Sequence, residues 1–241
     1  MKKIVLISIL CLLAANAAFA ANSIAVTAAA AMGPNNGGTA CGGGMCGLAV
    51  TLDGSTNPAK VVDNTPNNEA PYRADFWIDP TGLTMNQGNI FVVARGTQQN
   101  TTPIKAAFQV LVMRDQGIFR YSLRAETNNP NPGISKISPR INHDNDCGGA
   151  RLQVEFEKSP APATPGGEVT LTLLEVENPG GACSMVPGTF VNTAQVHGEG
   201  INNSNLDIDD HHFGAIGGPI PATASGTFFL DEHRAFRTLA P

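Results

Sequence analysis

The chain predicts an all-β sandwich or barrel, and three observations carry that expectation. From Cys46 onward, short segments alternate apolar and polar side chains. Clusters of Pro, Asn and Gly separate these segments, and no long stretch holds a helical periodicity. Many short alternating runs bounded by turn residues bury one face against a second layer, which is the sandwich or barrel solution.

The N-terminus is not part of that pattern. "MKKIVLISILCLLAANAAFA" has two lysines, an apolar run from Ile4 to Leu13 and the small-residue pattern Ala18-Phe19-Ala20. Those are the charged region, apolar region and cleavage site of an export signal over residues 1–20. The run is shorter than the roughly 20 apolar residues that a membrane span needs. Cys11 follows Leu10, not the small residue of a lipoprotein signal, so no lipid anchor is expected. No second apolar run follows, so the sequence predicts no membrane span and an exported chain, periplasmic or extracellular. Residues 21–40, rich in Ala, Gly and Asn, read as a flexible leader, and 41–241 as a single β-sandwich domain. Removing the signal leaves thirteen basic against twenty acidic residues. A mildly acidic chain without basic runs is a poor nucleic-acid partner.

The strands follow in order. "YRADFWID" puts Tyr72, Ala74, Phe76 and Ile78 on one face and Arg73, Asp75, Trp77 and Asp79 on the other, because successive strand side chains point to opposite sides. "NIFVVAR" and "AAFQVLVM" are apolar throughout, as central strands are. "IFRYSLRAE" turns Phe119, Tyr121 and Leu123 inward and Arg120, Ser122 and Arg124 outward. "RLQVEFEK" turns Leu152, Val154 and Phe156 inward and Arg151, Gln153, Glu155 and Glu157 outward. "EVTLTLLEVE", "TFVNTAQVHG", "HHFGAIGG" and "GTFFLDEHRAF" complete the set.

Four cysteines remain after the signal, and an even count in an exported chain favours disulfides. "RLQVEFEK" and "EVTLTLLEVE" flank the turn "SPAPATPGG", and Cys147 and Cys183 are equidistant from residue 165. A hairpin would bring them together beyond the strand ends, as a disulfide requires. Cys41 and Cys46 then pair across "GGGM", whose glycines permit a tight loop. The competing readings of "CGGGMC" are a redox pair or half of a zinc site. Its spacing is not C-x-x-C, and no second Cys/His pair sits at a metal-ligand interval.

Three blocks, "CGLAVTLD", "VVDNTPNNEAPYRADFWIDPTGLTM" and "HHFGAIGGPIPATASGTFFLDEHRAF", resemble a group of bacterial exported proteins within the concanavalin A-like lectin/glucanase (LamG-like) jelly rolls. Tyr72-Arg73-Ala74-Asp75-Phe76 is similar to that group's opening strand, with Asp75 where an Arg is expected. Phe213-Gly214-Ala215-Ile216-Gly217 and Gly226-Thr227-Phe228-Phe229-Leu230-Asp231 are similar to its closing strands. The resemblance spans about residues 46–241 and implies a jelly-roll sandwich of two antiparallel sheets. Its motifs are strand signatures, not catalytic ones, so it implies little about activity.

"NNSNLDIDDHHFGAIGG" concentrates aspartates and histidines and invites a metal reading. The alternative is the entry to a strand with Ile208, Phe213 and Ile216 on its inner face. Alternation places Asp209, His211 and Phe213 on one side and Asp210 and His212 on the other, so these groups cannot all converge on one ion. A narrower calcium site would use Asp207 and Asp209 with loop carbonyls, since calcium takes oxygen ligands. Asp231 is a further metal candidate by analogy with other jelly rolls. His143, His197 and His233 stand apart and receive no role.

No catalytic set emerges, so the chain reads as non-catalytic and needing no cofactor. "VEFEKS" and "LLEVEN" carry Glu155/Glu157 and Glu175/Glu177 at i, i+2. Neither has the intervening aspartate of superfamily glucanases, though the spacing itself is compatible with a retaining pair at about 5–5.5 Å. There is no G-x-S-x-G elbow and no phosphate loop with its lysine. The remaining candidate surface is the outward face bearing Trp77 with Arg73, Asp75 and Asp79, joined by Arg120, Arg124, Arg151 and Gln153. An aromatic ring there would stack on a sugar while planar polar groups fix its hydroxyls. The sequence thus points to an exported module that binds a carbohydrate or another cell-surface component. Its alternatives are a glycoside-active enzyme with a degenerate motif, or an envelope structural or protein-interaction protein.

A non-reduced digest of the mature chain is expected to yield Cys147–Cys183 and Cys41–Cys46 peptides by mass spectrometry. A Cys41–Cys147 peptide would contradict the hairpin argument.

Overall fold

The computed structural model describes residues 21–27, 47–99, 104–126, 135–137, 140–143, 148–161, 166–176, 192–196, 201–217 and 220–237. Their strands are β1 (Ser23–Thr27), β2 (Gly47–Asp53), β3 (Ala59–Asp63), β4 (Tyr72–Asp79), β5 (Leu83–Thr84), β6 (Ile90–Gln98), β7 (Lys105–Asp115) and β8 (Ile118–Glu126). They continue as β9 (Ser135–Ile137), β10 (Ile141–His143), β11 (Ala150–Glu157), β12 (Glu168–Val176), β13 (Asn192–Val196), β14 (Asp210–Ile216) and β15 (Ser225–Phe236). Among the described residues no helix is long and apolar enough to cross a membrane.

The strands form two antiparallel sheets, the jelly-roll sandwich expected from the sequence. The eight-stranded sheet runs β1-β2-β15-β4-β11-β12-β13, with β5 also on β15. The seven-stranded sheet runs β10-β8-β7-β6-β14-β3, with β9 also on β8. The late strands β14 and β15 each insert between earlier ones, so most pairing is between distant parts of the chain. Closure therefore depends on the inward faces matching rather than on local turns.

Those inward faces are the ones that alternation predicts. Tyr72, Ala74, Phe76 and Ile78 of β4 are buried in one core with Phe119, Tyr121 and Leu123 of β8 and Leu152, Val154 and Phe156 of β11. Aromatic pairs join the two layers: Phe76 meets Phe213 edge-on at 5.4 Å, and Phe91 meets Phe228 at 5.6 Å between ring centroids. Such pairs add about 0.5–1.5 kcal/mol each beyond the area they bury.

Four expectations need correction or qualification. Ser23–Thr27, assigned to a loose leader, pairs with Gly47–Thr51 of β2. Asn22 holds this end down, its Nδ2 donating to the carbonyls of Ser55 and Asn57 and its Oδ1 accepting from the Asp53 amide. The alternation of Ile24 and Val26 was hidden in an Ala-rich context, and the rest of the leader lies outside the described residues. Ile216 does not join Ile208 and Phe213. It packs with Val92 and Leu111 in a small cluster apart from the main core, because it is three residues from Phe213 and so points the other way. The β11–β12 hairpin forms, but pairs such as Glu157↔Glu168 centre its turn between residues 162 and 163, ahead of residue 165. Cys41, Cys46, Cys147 and Cys183 lie outside the described residues.

Gly214 is where the chain requires a glycine. Its φ is +122°, and a Cβ there would lie 2.3 Å from the Ala59 carbonyl oxygen of neighbouring β3. β14 opposes β6 with a register shift between Phe213 and Ile216, so the backbone bends here. Gly214→Ala is expected to destabilise the fold by about 1–3 kcal/mol, measured as a lower urea midpoint. An unchanged midpoint would contradict this packing.

Candidate functional site

A bulge in the last strand helps to build a cleft at the edge of the sandwich. β15 opposes β4 through Asp231↔Trp77 and Arg234↔Asp75, which leaves Glu232 and His233 facing the single residue Phe76. Glu232 takes φ +48° to allow it. The extra residue brings the His233 ring to 4.1 Å from Phe213 and 5.2 Å from His211. The result is a cleft of about 230 Å³ between the two sheets, lined by residues of β2, β3, β4, β14 and β15. Phe76, Phe213, Leu230, Leu48 and Val61 give it an apolar lining, and Asp63, Asp231, Glu232 and His233 its polar and charged groups.

The polar groups are set by local bonds. Asp231 Oδ1 accepts the Glu232 amide at 2.8 Å, and Glu232 Oε2 meets Arg234 Nη2 at 3.1 Å. His233 Nδ1 lies 3.8 Å from Asp63 Oδ2. Burial pushes His233 down to about 4, against the opposing pull of Asp63 and Asp75. The imidazole is therefore neutral at pH 7, and its contact with Asp63 is not a charged pair there.

Behind the cleft sits a buried polar pair. Tyr72 Oη and His211 Nδ1 are 2.7 Å apart, with the two residues 2% and 0% exposed. Burial holds the tyrosine far above its ordinary range and His211 well below its own, the nearby His233 and His212 adding to the latter. Both rings are neutral, and the bond satisfies one polar atom of each. His211 Nε2 has no hydrogen-bond partner among the described residues.

The aspartate-histidine run divides as alternation requires. His211 enters the core while His212 faces outward, where Lys60 Nζ lies 2.9 Å from its Nδ1. Lys60 has donors only, so Nδ1 accepts and the ring proton is on Nε2. Burial, then Lys60 and Arg95, pushes His212 down to about 4. Asp207 pairs with Lys158 Nζ at 2.8 Å. Asp209 accepts the amides of Asn68 and Gln99 at 3.0 and 2.8 Å, and Asp210 accepts from the Gln99 side chain. The calcium set of Asp207 and Asp209 is thus occupied by separate structural partners. Among the described residues no group of three or more His, Cys, Asp or Glu side chains could hold a metal ion.

The expected tryptophan platform also divides. Trp77 and Asp75 are each 3% exposed, so the indole offers no open ring face. Its Nε1 has no partner among the described residues. Asp75 instead anchors Arg151 at 2.8 Å and Gln153 at 2.9 Å, and Arg73 stacks over Phe236 at 4.2 Å. Arg120 and Arg124 belong to β8 in the other sheet, on the far side of the sandwich from Trp77. Arg120 bonds Gln116 at 2.8 Å and pairs with Asp115 at 3.4 Å. Alternation gave the faces of β4, β8 and β11 correctly but not which sheet each strand joins. Among the described residues, Asp231 alone of the predicted set lines the cleft. Asp63, Glu232 and His233 were missed, because nothing local marks a bulge at Glu232.

No protein-family model and no curated protein sequence matches this chain. Solved structures similar to it include an alginate lyase from Klebsiella pneumoniae, at 8% identity over 70% of this chain and 60% of that one, with a TM-score of 0.42. An alginate lyase from Pseudomonas aeruginosa is similar at 8% identity over 79% of this chain and 82% of that one, with a TM-score of 0.46. The binding domain of botulinum neurotoxin DC, solved with rat synaptotagmin II, is similar at 9% identity over 84% of this chain and 39% of that one, with a TM-score of 0.40. This chain spans about 60% of the length of the Klebsiella lyase. At such scores these similarities carry nothing about the chemistry of the cleft.

Stability should fall as pH drops from about 6.5 towards about 4. His212 and His233 titrate near 4 when folded and near 6.5 when unfolded, so only the unfolded chain gains their protons in that window. The urea midpoint is expected to be lower at about pH 5 than at about pH 7.5, and the His212→Gln/His233→Gln variant should flatten that difference. The same slope in the variant would remove the two histidines as its cause. Glu126, held above the usual carboxylate range by burial, works in the opposite direction and is common to both proteins.

Proposed function

We propose that this chain is an exported, non-catalytic β-sandwich module that binds a glycan or another cell-surface component in the cleft beside His233. The observation that carries the reading is a cleft of about 230 Å³ that combines an apolar lining with Asp63, Asp231, Glu232 and His233. A sugar ring has apolar C–H faces and hydroxyl edges. Leu48, Val61 and Phe213 suit the faces, and the carboxylates accept from the hydroxyls with the added strength of charged acceptors. The N-terminal signal pattern supports export to the periplasm or the medium. Membership of the concanavalin A-like jelly rolls is part of the proposal and rests on the strand signatures around Tyr72, Phe213 and Phe228.

The carboxylates that resembled a glycosidase pair support the non-catalytic reading. Glu155 sits opposite Arg73 and Thr170 on neighbouring strands, and Glu157 ends its strand opposite Glu168, both away from the cleft lining.

The test is a neutral-glycan array with the mature chain, with and without EDTA, repeated with Asp63→Ala and Asp231→Ala. Binding is expected, weakened about tenfold or more in each variant. Loss in EDTA would add calcium at the Asp231 side of the cleft; persistence would leave the carboxylates as hydroxyl acceptors. No glycan binding, or binding equal in both variants, would overturn the reading.

A further inference from the structure

The outer face of the seven-stranded sheet carries three cations, Lys60, Arg95 and Arg124, that make no ion-pair contact with a carboxylate among the described residues. Strand register places His212 of β14 beside Arg95 of β6, Arg95 beside Gln109 of β7, and Gln109 beside Arg124 of β8. Lys60 reaches into the same row from β3 through its bond to His212. The row thus crosses five adjacent strands, roughly 19 Å at the usual inter-strand spacing.

Elsewhere in the described chain five arginines have acidic partners, and Arg73 and Arg114 lie over the Phe236 and Phe119 rings instead. Arg120 and Arg140 pair with Asp115, Arg151 with Asp75, Arg234 with Glu232 and Arg237 with Glu69. Among the described residues, Lys60 Nζ bonds the neutral His212 at 2.9 Å, His212 Nε2 lies 3.8 Å from Asp210 Oδ2, and the two arginines make only long contacts to neutral groups. Arg95 Nη2 lies 3.5 Å from His212 Nδ1, and Arg124 Nη1 lies 3.4 Å from Gln109 Oε1. The Nε atoms of both arginines are buried without a partner among the described residues. Two acidic groups, Asp210 and Glu126, adjoin the row and attract its cations without an ion-pair contact to Lys60, Arg95 or Arg124. Asp210 is held by Gln99, and Glu126 takes a backbone hydrogen bond from Ala106. A half-buried guanidinium without a carboxylate has already lost part of its hydration, so an incoming anion recovers more there than at a fully solvated arginine.

We propose that this row is a binding track for an acidic polysaccharide, its carboxylate or sulfate groups received by Arg95, Arg124 and Lys60. Arg95 and Arg124 are two strands apart, roughly 10 Å, a separation that suits charges repeating along a sugar chain. The geometry favours a strand-like polymer over a membrane, because the row is linear and its apolar neighbours Val92, Leu111 and Ile216 are buried, leaving Val62 beside His212 as a single exposed apolar side chain in register with it among the described residues. The acidic balance of the whole chain makes general attraction to polyanions weak, so binding would be confined to the row. The proposal rests on the glycan-binding reading above and adds a second surface and the ligand's charge.

The experiment is titration calorimetry of the mature chain with polygalacturonate, dextran sulfate, neutral dextran and phosphatidylglycerol vesicles, at low and high salt. Lys60→Gln and Arg124→Gln are compared with Arg124→Lys, each checked for an unchanged thermal midpoint. Binding to one or both acidic polymers is expected, weakened by salt and about tenfold by Lys60→Gln or Arg124→Gln. Arg124→Lys should restore part of the loss, because it keeps the charge without the planar fork. Whichever polymer binds identifies the anionic group. Binding to vesicles alone, to neutral dextran equally, or to acidic polymers with no effect of the variants would overturn the proposal. Neutral-glycan binding without acidic-polymer binding would overturn it too while leaving the cleft reading intact.

Discussion

The contact between β4 and β14 across the sandwich is what the other features depend on. Phe76 meets Phe213 edge-on, and Tyr72, four residues earlier on β4, bonds His211, two residues earlier on β14. Apolar burial supplies most of the free energy, while the Tyr72–His211 bond supplies direction. A phenol and an imidazole placed in the core without each other would each lose about 1–3 kcal/mol in desolvation. The bond therefore fixes the register in which the two layers meet. A slip of one residue on β14 would turn His212 into the core and His211 out to solvent.

From that register the two candidate surfaces follow. Because His211 and Phe213 point inward, His212 must point outward, and it becomes the neutral acceptor around which Lys60 and Arg95 gather. Because Phe213 reaches the end of the core beside β15, the bulge at Glu232 sets His233 against it and leaves a cleft instead of a sealed edge. One surface is acidic with an apolar lining, the other basic and flat. They lie at different places on the sandwich.

Much of this was legible in the sequence, and the reasons for success and failure are physical. Alternation is a property of a strand alone, so "YRADFWID", "IFRYSLRAE" and "RLQVEFEK" declared their inner faces without knowledge of neighbours. The same logic divided Asp209, Asp210, His211 and His212 between two sides and removed the single-ion reading. Sheet assignment is a property of non-local pairing. Nothing near Arg120 or Arg124 says that β8 lies in the opposite layer from β4, so a surface assembled from Trp77 and those arginines fell apart. The covering of Trp77 is likewise non-local. The bulge at Glu232 depends on β15 matching β4 on both sides of it, and Asp63, Glu232 and His233 stayed invisible for that reason.

The most direct test of the account is heteronuclear NMR of the histidine side chains in the mature, folded chain. His211 is predicted to keep one protonated ring nitrogen and constant imidazole shifts from about pH 5 to about pH 8, as a neutral ring bonded to Tyr72 in a dry core must. A His211 imidazole that titrates near its ordinary value would contradict the account. It would mean that water reaches the contact on which the register, the cleft and the outer row all depend.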